Sequence, residues 1–374
     1  MKSNTSRIPY VNLQKQWLEE RDDLLPIIDK VLESAQFVGG DELDKFEEKI
    51  AKLCGTKYAC GLNSGTDALM LALALSGIGK GDEVITPPNS FIASTAAIVH
   101  IGAVPVFVDV LPDQNIDSSK IEAAITEKTK AIMPVHLTGR MCDMDLIMDI
   151  AKKYGLKVIE DAAQSVGSKY KGRLSGSIGD VGCFSTHPLK NLNACGDGGF
   201  LTTNDEEIYK KSRSYRNHGM TNRNIVDHFG SVTRMDNLQA SILNYRLDKL
   251  DEVTQKRRNN ANFYYKGINN NCLFIPEEKD SEFNVYHTFV VQTKYRDELK
   301  EFLHKNQIDT AIHYPVPIHL QPAANKLGYK IGDFPITEKQ SKEILTLPVN
   351  QYLTKVDLER IVDVVNEFKS KTSK

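Results

Sequence analysis

Residues 184–200 read FSTHPLKNLNACGDGGF, a β-type run that breaks at a proline, presents Lys190 and returns through three glycines into another apolar run. The runs on either side, DVGCFS and GGFLTTN, are short and rich in residues that favour strands. Glycines between them indicate backbone passing close to something, with a lysine placed at the approach. Upstream, KYACGLN, DEVITPP, AVPVFVDV, KAIMPVH and LKVIEDAA read as further strands. Helix-like segments separate them, such as Ile121 to Ile125 and Met144 to Lys153. This alternation predicts an α/β fold with a largely parallel sheet covered by helices on both faces.

After residue 205 the pattern changes to a long polar stretch, ASILNYRLDKLDEVTQKRRNNANFYYKGI, and Leu238 just before it with Ile242, Tyr245, Leu247 and Leu250 form an apolar stripe of helical period. We expect a hinge within it. It would separate an N-terminal arm and large domain, residues 1–245, from a small C-terminal α+β domain, residues 246–374, with a strand around FVVQT and helices around DELKEFLHKN and DLERIVDVVNEFKS. A chain of 374 residues exceeds what one core usually supports.

With 41% hydrophobic and 26% charged residues, the composition is that of an ordinary globular protein. Lys+Arg 47 against Asp+Glu 49 leaves a net charge of -2, and no basic run points to nucleic acid or a membrane surface. The polar start and the lack of a long apolar run lead us to expect a cytoplasmic protein. The six cysteines show no metal-type spacing. They are expected as reduced thiols, Cys195 included, and no metal site is expected.

Three local features ask for one ligand. In NSGTDALMLALALSGI, Gly65 and Thr66 open a strongly helical run, and a helix start of this kind can hold a phosphate. Taken alone it reads equally as a capped buried helix. KVIEDAAQS delivers Asp161 and Gln164 at the carboxyl end of a buried-type strand, where ligand groups collect in open α/β sheets, although a lone Asp there also reads as a helix cap. Lys190 follows a strand that ends in Ser185, whose hydroxyl would be a further phosphate partner. A lysine in a crevice can form a Schiff base, although single lysines are mostly surface charges. A phosphate, a pyridinium nitrogen and an aldehyde on one molecule satisfy all three, which points to pyridoxal 5'-phosphate attached at Lys190.

The sequence resembles the DegT/DnrJ/EryC1 aminotransferases that act mainly on nucleotide-linked keto sugars. The resemblance runs through IPYVNLQKQW, FVGGDELDKFEEKIAKLCGTKYACGLNSGTDAL, PPNSFIASTAAI, PVHLTGR, EDAAQ, FSTHPLKNLNACGDGG, YRNHG, RMDNLQASIL and HYPVPIHLQPA, in that order. It implies a fold type I pyridoxal-phosphate-dependent transferase, aspartate aminotransferase-like, working as a homodimer with shared active sites. By the same resemblance, Lys190 attaches the cofactor and moves the proton, Asp161 keeps the ring nitrogen protonated, and Gln164 meets the phenolic oxygen. Phe91 lies against the ring, and Gly65, Thr66 and Ser185 hold the phosphate. His313, Tyr314 and His319 lie in a segment that approaches the active site in the family, so they become candidate substrate contacts. Val232 stands where the family usually has an asparagine that reaches the neighbouring subunit's cofactor phosphate.

The resemblance implies amino transfer from glutamate to a nucleotide-linked keto-deoxysugar by a ping-pong mechanism. The loop KNLNACGDGG resembles the members that aminate the third sugar carbon. The alternatives are a 4-keto sugar or keto-cyclitol aminotransferase, a sugar dehydratase, against which Lys190 argues because those members carry histidine there, and a non-catalytic regulatory homologue.

Overall fold

The computed structural model describes residues 6–370, so the outermost residues of both expected domains, 1–5 and 371–374, lie outside it. Seven strands form the main sheet: β1 (Tyr58–Leu62), β2 (Glu83–Thr86), β3 (Val104–Phe107), β4 (Thr129–Ile132), β5 (Lys157–Asp161), β6 (Val181–Ser185) and β7 (Gly199–Thr203), in the order β1-β7-β6-β5-β4-β2-β3. From β6 to β3 every neighbour is parallel. Only β7 runs against both its neighbours. That reversal follows from its connection, since β6 reaches β7 through the Lys190 loop, whereas a parallel neighbour needs a long crossover.

The helices are α1 (Leu13–Ser34), α2 (Asp41–Cys54), α3 (Gly65–Leu75), α4 (Ile92–His100), α5 (Met144–Tyr154), α6 (Glu206–Tyr215), α7 (Asn237–Leu247), α8 (Leu250–Gly267), α9 (Arg296–Lys305), α10 (Pro335–Glu343) and α11 (Lys355–Glu367). The strand alternation decides which of them each face receives. On β6 and β7, Val181, Cys183 and Leu201 pack with Leu69 and Leu73 of α3, while Phe184 and Phe200 turn to Phe46 and Ile50 of α2 and Leu243 of α7. The two phenylalanine rings stack at 4.5 Å, with Phe46 edge-on to Phe200 at 5.7 Å. α5 covers the β4–β5 end, where Ile147 and Ile150 meet Ile132 and Val158.

Two sequence expectations are refined. Ile121 to Ile125 belongs to no α-helix. Short 3₁₀ turns at Ser118–Lys120 and Glu122–Ala124 stand there, because Asp117 ties its own turn by accepting from the Ser119 amide and hydroxyl, and the apolar run is too short to propagate. The long polar stretch is two helices, broken at Asp248 and Lys249, after which Asp251 and Glu252 supply the acidic first turn that α8 favours.

A second core gathers Ala261 and Tyr264 of α8, Leu299 and Leu303 of α9, and Ile361 and Val365 of α11 around the antiparallel pair β8 (Phe289–Gln292) and β9 (Ile344–Leu347). Ile8, from the N-terminal segment, is buried in it. Among the described residues, no helix is long and apolar enough to cross a membrane, and no group of three His, Cys, Asp or Glu is placed to hold a metal ion. The six cysteines are free, and only Cys195 is exposed.

Candidate active site

At the carboxyl ends of β5 and β6 a cavity of about 470 Å³ opens between the sheet and the second core. Its walls bring together Gly65, Thr66, Phe91, Asp161, Gln164, Ser185, Lys190, His313 and Tyr314, residues separated by up to about 250 positions in sequence. Each arrives by a local rule.

α3 starts at the cavity because Ser64 caps it. The Ser64 hydroxyl accepts from the Asp67 amide at 3.0 Å and donates to the Asp67 carboxylate at 2.9 Å. The helix start lies so close to the sheet that a Cβ on Gly65 would come within 2.8 Å of the Ser185 Cβ, and one on Gly199 within 2.4 Å of the Ser64 carbonyl carbon. Gly65, at the helix start, and Gly199, after the Lys190 loop, are thus a packing requirement, and they leave the helix's amide end facing the cavity.

Asp161 ends β5 with its backbone still in the sheet, its amide donating to the Pro134 carbonyl and its carbonyl accepting from the His136 amide. Its side chain is buried, accepting from the Ser94 hydroxyl at 2.6 Å and the Ala163 amide at 3.2 Å. Burial raises its pKa, against the pull of those two donors and of the Lys190 charge. Behind it, Glu160 points to the opposite face, where it is fully buried and accepts from His136 Nε2 at 2.9 Å and from the amides of Gly176, Ile178 and Gly179. The Cys142 amide donates to His136 Nδ1 at 3.2 Å, which leaves the ring proton on Nε2, toward Glu160.

Lys190 is half-buried at the wall of the cavity, in a turn closed by its own amide to the His187 carbonyl at 2.8 Å. Its loop is anchored on both sides: the Asn191 amide group donates to the Val285 carbonyl, and the Asn193 amide group to the Pro188 carbonyl and Gln16. Burial lowers the lysine's pKa to about 8, opposed by the Asp161 charge. Gln164 Oε1 accepts from the Thr138 amide at 2.8 Å, which turns its NH₂ group toward the Tyr314 hydroxyl.

Phe91 precedes α4 and lies 5.8 Å from Tyr314, its ring about half exposed. His313 Nδ1 lies 3.0 Å from the Thr346 hydroxyl, and burial, with the Lys190 charge, lowers its pKa to about 4. His319 is a correction to the sequence expectation. Its side chain is fully buried away from the cavity, Nε2 lies 3.2 Å from Glu338, and its ring packs edge-on against Phe334 at 4.8 Å. It comes from the same segment as His313, but the 3₁₀ turn at Ile318–Leu320 carries it under α10. Val232 is half-exposed in a bridge with Asn217 and does not line the cavity.

Sequence reasoning missed Ser94, which holds Asp161, and Tyr10, Arg257 and His287, which also line the cavity. Ser94 was within reach, since it lies three residues after Phe91 in a helix's first turn. Tyr10 lies in IPYVNLQKQW, one of the stretches that carry the resemblance, but no local signal gives it a role, and Arg257 and His287 lie outside those stretches.

The mixed seven-stranded sheet, the lysine loop between β6 and β7 and the carboxylate ending β5 define a fold type I pyridoxal-phosphate transferase. The chain belongs to the DegT/DnrJ/EryC1/StrS aminotransferase family, whose sequence profile matches residues 19–366. It is 43% identical over 364 residues to a dTDP-3-amino-3,6-dideoxy-alpha-D-galactopyranose transaminase of Aneurinibacillus thermoaerophilus, covering 96% of this chain and 99% of that one. It is 41% identical over 365 residues to a protein of Geobacillus stearothermophilus named a pleiotropic regulatory protein, covering 96% and 98%. A crystal structure of DesV from S. venezuelae in complex with a ketimine intermediate superposes with a TM-score of 0.95 at 39% identity, covering 97% of this chain and 98% of that one. The family's cofactor is seen in the PLP-form of a putative sugar aminotransferase from Streptococcus pneumoniae, which has a TM-score of 0.87 at 27% identity and covers 92% of this chain and 95% of that one.

Proposed function

We propose that this aminotransferase uses pyridoxal phosphate to move an amino group from glutamate to a nucleotide-linked keto-deoxysugar, at the third sugar carbon, by a ping-pong mechanism. The observation that carries the reading is the joint placement of Lys190 and a buried Asp161 in one cavity with the α3 N-terminus. The residues fit the cofactor: the Gly65 cradle and the helix end suit a phosphate, Asp161 a pyridinium, and Lys190 an aldehyde. When bound, pyridoxal phosphate supplies an aldehyde that carries the amino group and a ring that withdraws electrons from the reacting carbon.

The chain's own part follows from its geometry. Asp161, which accepts from the Ser94 hydroxyl and the Ala163 amide, would keep a proton on the ring nitrogen. Gln164, its oxygen tied to Thr138, would donate its NH₂ to the phenolic oxygen. Phe91 and Tyr314 would fix the ring plane. Lys190 Nζ, with a proton affinity near neutrality, can take a proton from the donor's α-carbon and release it again at working pH. Transfer to the third carbon is supported by the name of the Aneurinibacillus relative and by the KNLNACGDGG loop.

The homodimer belongs to the same proposal. Trp17, Leu18, Leu25 and Leu32 of α1 are exposed apolar side chains that a second copy would cover.

The test is the visible spectrum of the purified protein before and after glutamate, beside Lys190→Ala. The reading requires a visible cofactor band that glutamate shifts and that the variant lacks. Cofactor bound without any response to glutamate would instead favour a regulatory protein. Initial rates should give parallel double-reciprocal lines, and intersecting lines would rule out the ping-pong order.

A further inference from the structure

Arg257 projects from α8 into the cavity wall on the side of the second core, with only 5% of its surface exposed. Its NH1 donates to the carbonyls of Tyr286 at 3.1 Å and His287 at 3.2 Å. Its Nε is buried and meets no acceptor. The groups that act on its charge are the phenols of Tyr10 and Tyr352, and among the described residues no carboxylate does. A guanidinium buried without a counter-ion is costly, and here burial lowers its pKa to about 10.

The neighbours do not supply the missing anion. His287, whose carbonyl Arg257 holds, lines the same wall, and its buried Nδ1 also lacks a partner. Burial, Lys190 and Arg257 together push the His287 pKa well down, so the ring is neutral. Of the carboxylates lining the cavity, Asp161 is engaged by Ser94 and Asp197 is exposed to solvent. The cavity therefore has two differently built anion-seeking ends: the amide end of α3, suited to a phosphate, and a single planar cation without a counter-ion.

We propose that the guanidinium of Arg257, on the cavity wall and without a counter-ion, receives a carboxylate of the amino donor, holding the donor so that its amino group reaches the cofactor beside Lys190. This rests on the aminotransferase reading above. A planar guanidinium matches a planar carboxylate, and pairing it would remove the cost of the buried charge only while the donor is bound. A uronic-acid sugar would offer the same chemistry from the acceptor side, so the test separates the two sources.

The holoenzyme is titrated with glutamate by the visible spectrum and with glutarate, a non-reacting dicarboxylate, by calorimetry, for wild type, Arg257→Lys and Arg257→Met. We expect both variants to keep the cofactor band and the wild-type melting temperature within a few degrees, while the glutamate saturation constant and the glutarate Kd rise about 30-fold or more. Arg257→Lys should recover only part of the loss, because an ammonium is not a planar fork. Normal glutamate and glutarate binding in both variants overturns the proposal, and so does loss of the cofactor band or early melting with donor affinity unchanged. Weakened binding of a uronic-acid nucleotide sugar with glutamate unaffected overturns it in favour of the acceptor. A wild-type holoenzyme that does not respond to glutamate overturns the aminotransferase reading itself, an outcome seen without any variant.

Discussion

The Ser94 hydroxyl in the first turn of α4 donates to Oδ2 of Asp161 at 2.6 Å, so the start of one helix holds the carboxylate that ends β5. Because burial raises the Asp161 pKa and this bond lowers it, the hydroxyl helps decide how much carboxylate faces the cofactor ring. Ser94→Ala should raise the pKa further. A charge-assisted hydrogen bond contributes about 1.5–3 kcal/mol, so the cofactor Kd should rise about tenfold or more. The acid limb of the glutamate half-reaction should also move to higher pH. Ser94→Thr, which keeps the hydroxyl, should restore both, and an acid limb unchanged in Ser94→Ala would remove Ser94 from this role.

Lys190 gives a second pH dependence, which also rises with pH. Covalent attachment needs the neutral amine, and burial places its pKa at about 8 instead of the ordinary 10.5. The rate at which apo-protein takes up pyridoxal phosphate should therefore rise with pH and level off above about 8. Asp161→Asn removes the charge that supports the protonated lysine, so its midpoint should fall. Stopped-flow absorbance from pH 6 to 10 measures it, and a midpoint near 10.5 in the wild type would show that the lysine is solvated.

Gly65 and Gly199 are predicted to be intolerant of a single methyl group. Their added Cβ atoms would lie 2.8 Å from Ser185 and 2.4 Å from Ser64, against backbone or β-carbon that cannot swing away. Gly65→Ala and Gly199→Ala should each cost about 1–3 kcal/mol in stability and weaken cofactor binding by pushing the α3 start from β6. Gly77→Ala is the control. It is strained at a φ of 82° but has open space around it, so it should lower the melting temperature and leave the cofactor Kd unchanged.

Glu160, next to Asp161 but on the opposite face, should matter for stability. Burial works against its ionisation, yet the His136 hydrogen bond and electrostatic pull and the Gly179 and Gly176 amides outweigh it and hold its pKa below the ordinary 4.5. A folded-state pKa below the unfolded one gives stability that is present above pH 4.5 and lost as the pH falls through the folded value. Glu160→Gln should cost about 3 kcal/mol at pH 7. The gap to wild type in urea unfolding should close below pH 4.5, and a gap independent of pH would mean that shape, not charge, is what Gln fails to supply.

The residues legible in the sequence are those whose position follows from a local pattern. Asp161 and Ser185 end strands, Gly65 and Thr66 open a helix, and Lys190 sits in the loop between two strands. Periodicity and capping set these places, and the topology of parallel strands brings their carboxyl ends together. Arg257, His287 and Tyr10 reach the cavity only because the second core docks over the sheet. No window of sequence contains that docking, and Arg257 reads there as one more charge on a polar helix. The short stretch Ile121 to Ile125 failed for the converse reason, since a helix-like composition of five residues cannot outweigh the turn that Asp117 closes.

His319 tests the same limit from the other direction, because it shares a motif with His313 yet faces a different environment. Its ring is sealed between Phe334 and Glu338, and that carboxylate also accepts from the Gly332 amide at 2.8 Å and the Phe334 amide at 3.4 Å. His319→Ala removes a buried ring and a partner of Glu338, so it should destabilise the fold by about 2–4 kcal/mol. The cofactor Kd and the glutamate half-reaction of the folded fraction should be unchanged. His313→Ala should show the reverse, because His313 lies on the cavity wall beside Tyr314 and, among the described residues, its only side-chain partner within hydrogen-bond distance is Thr346. Its melting temperature should shift little while the saturation constants for donor or acceptor rise. Thermal unfolding and the half-reaction, measured on the same preparations, decide the matter: a His319→Ala protein that melts normally but turns over slowly would return His319 to the active site.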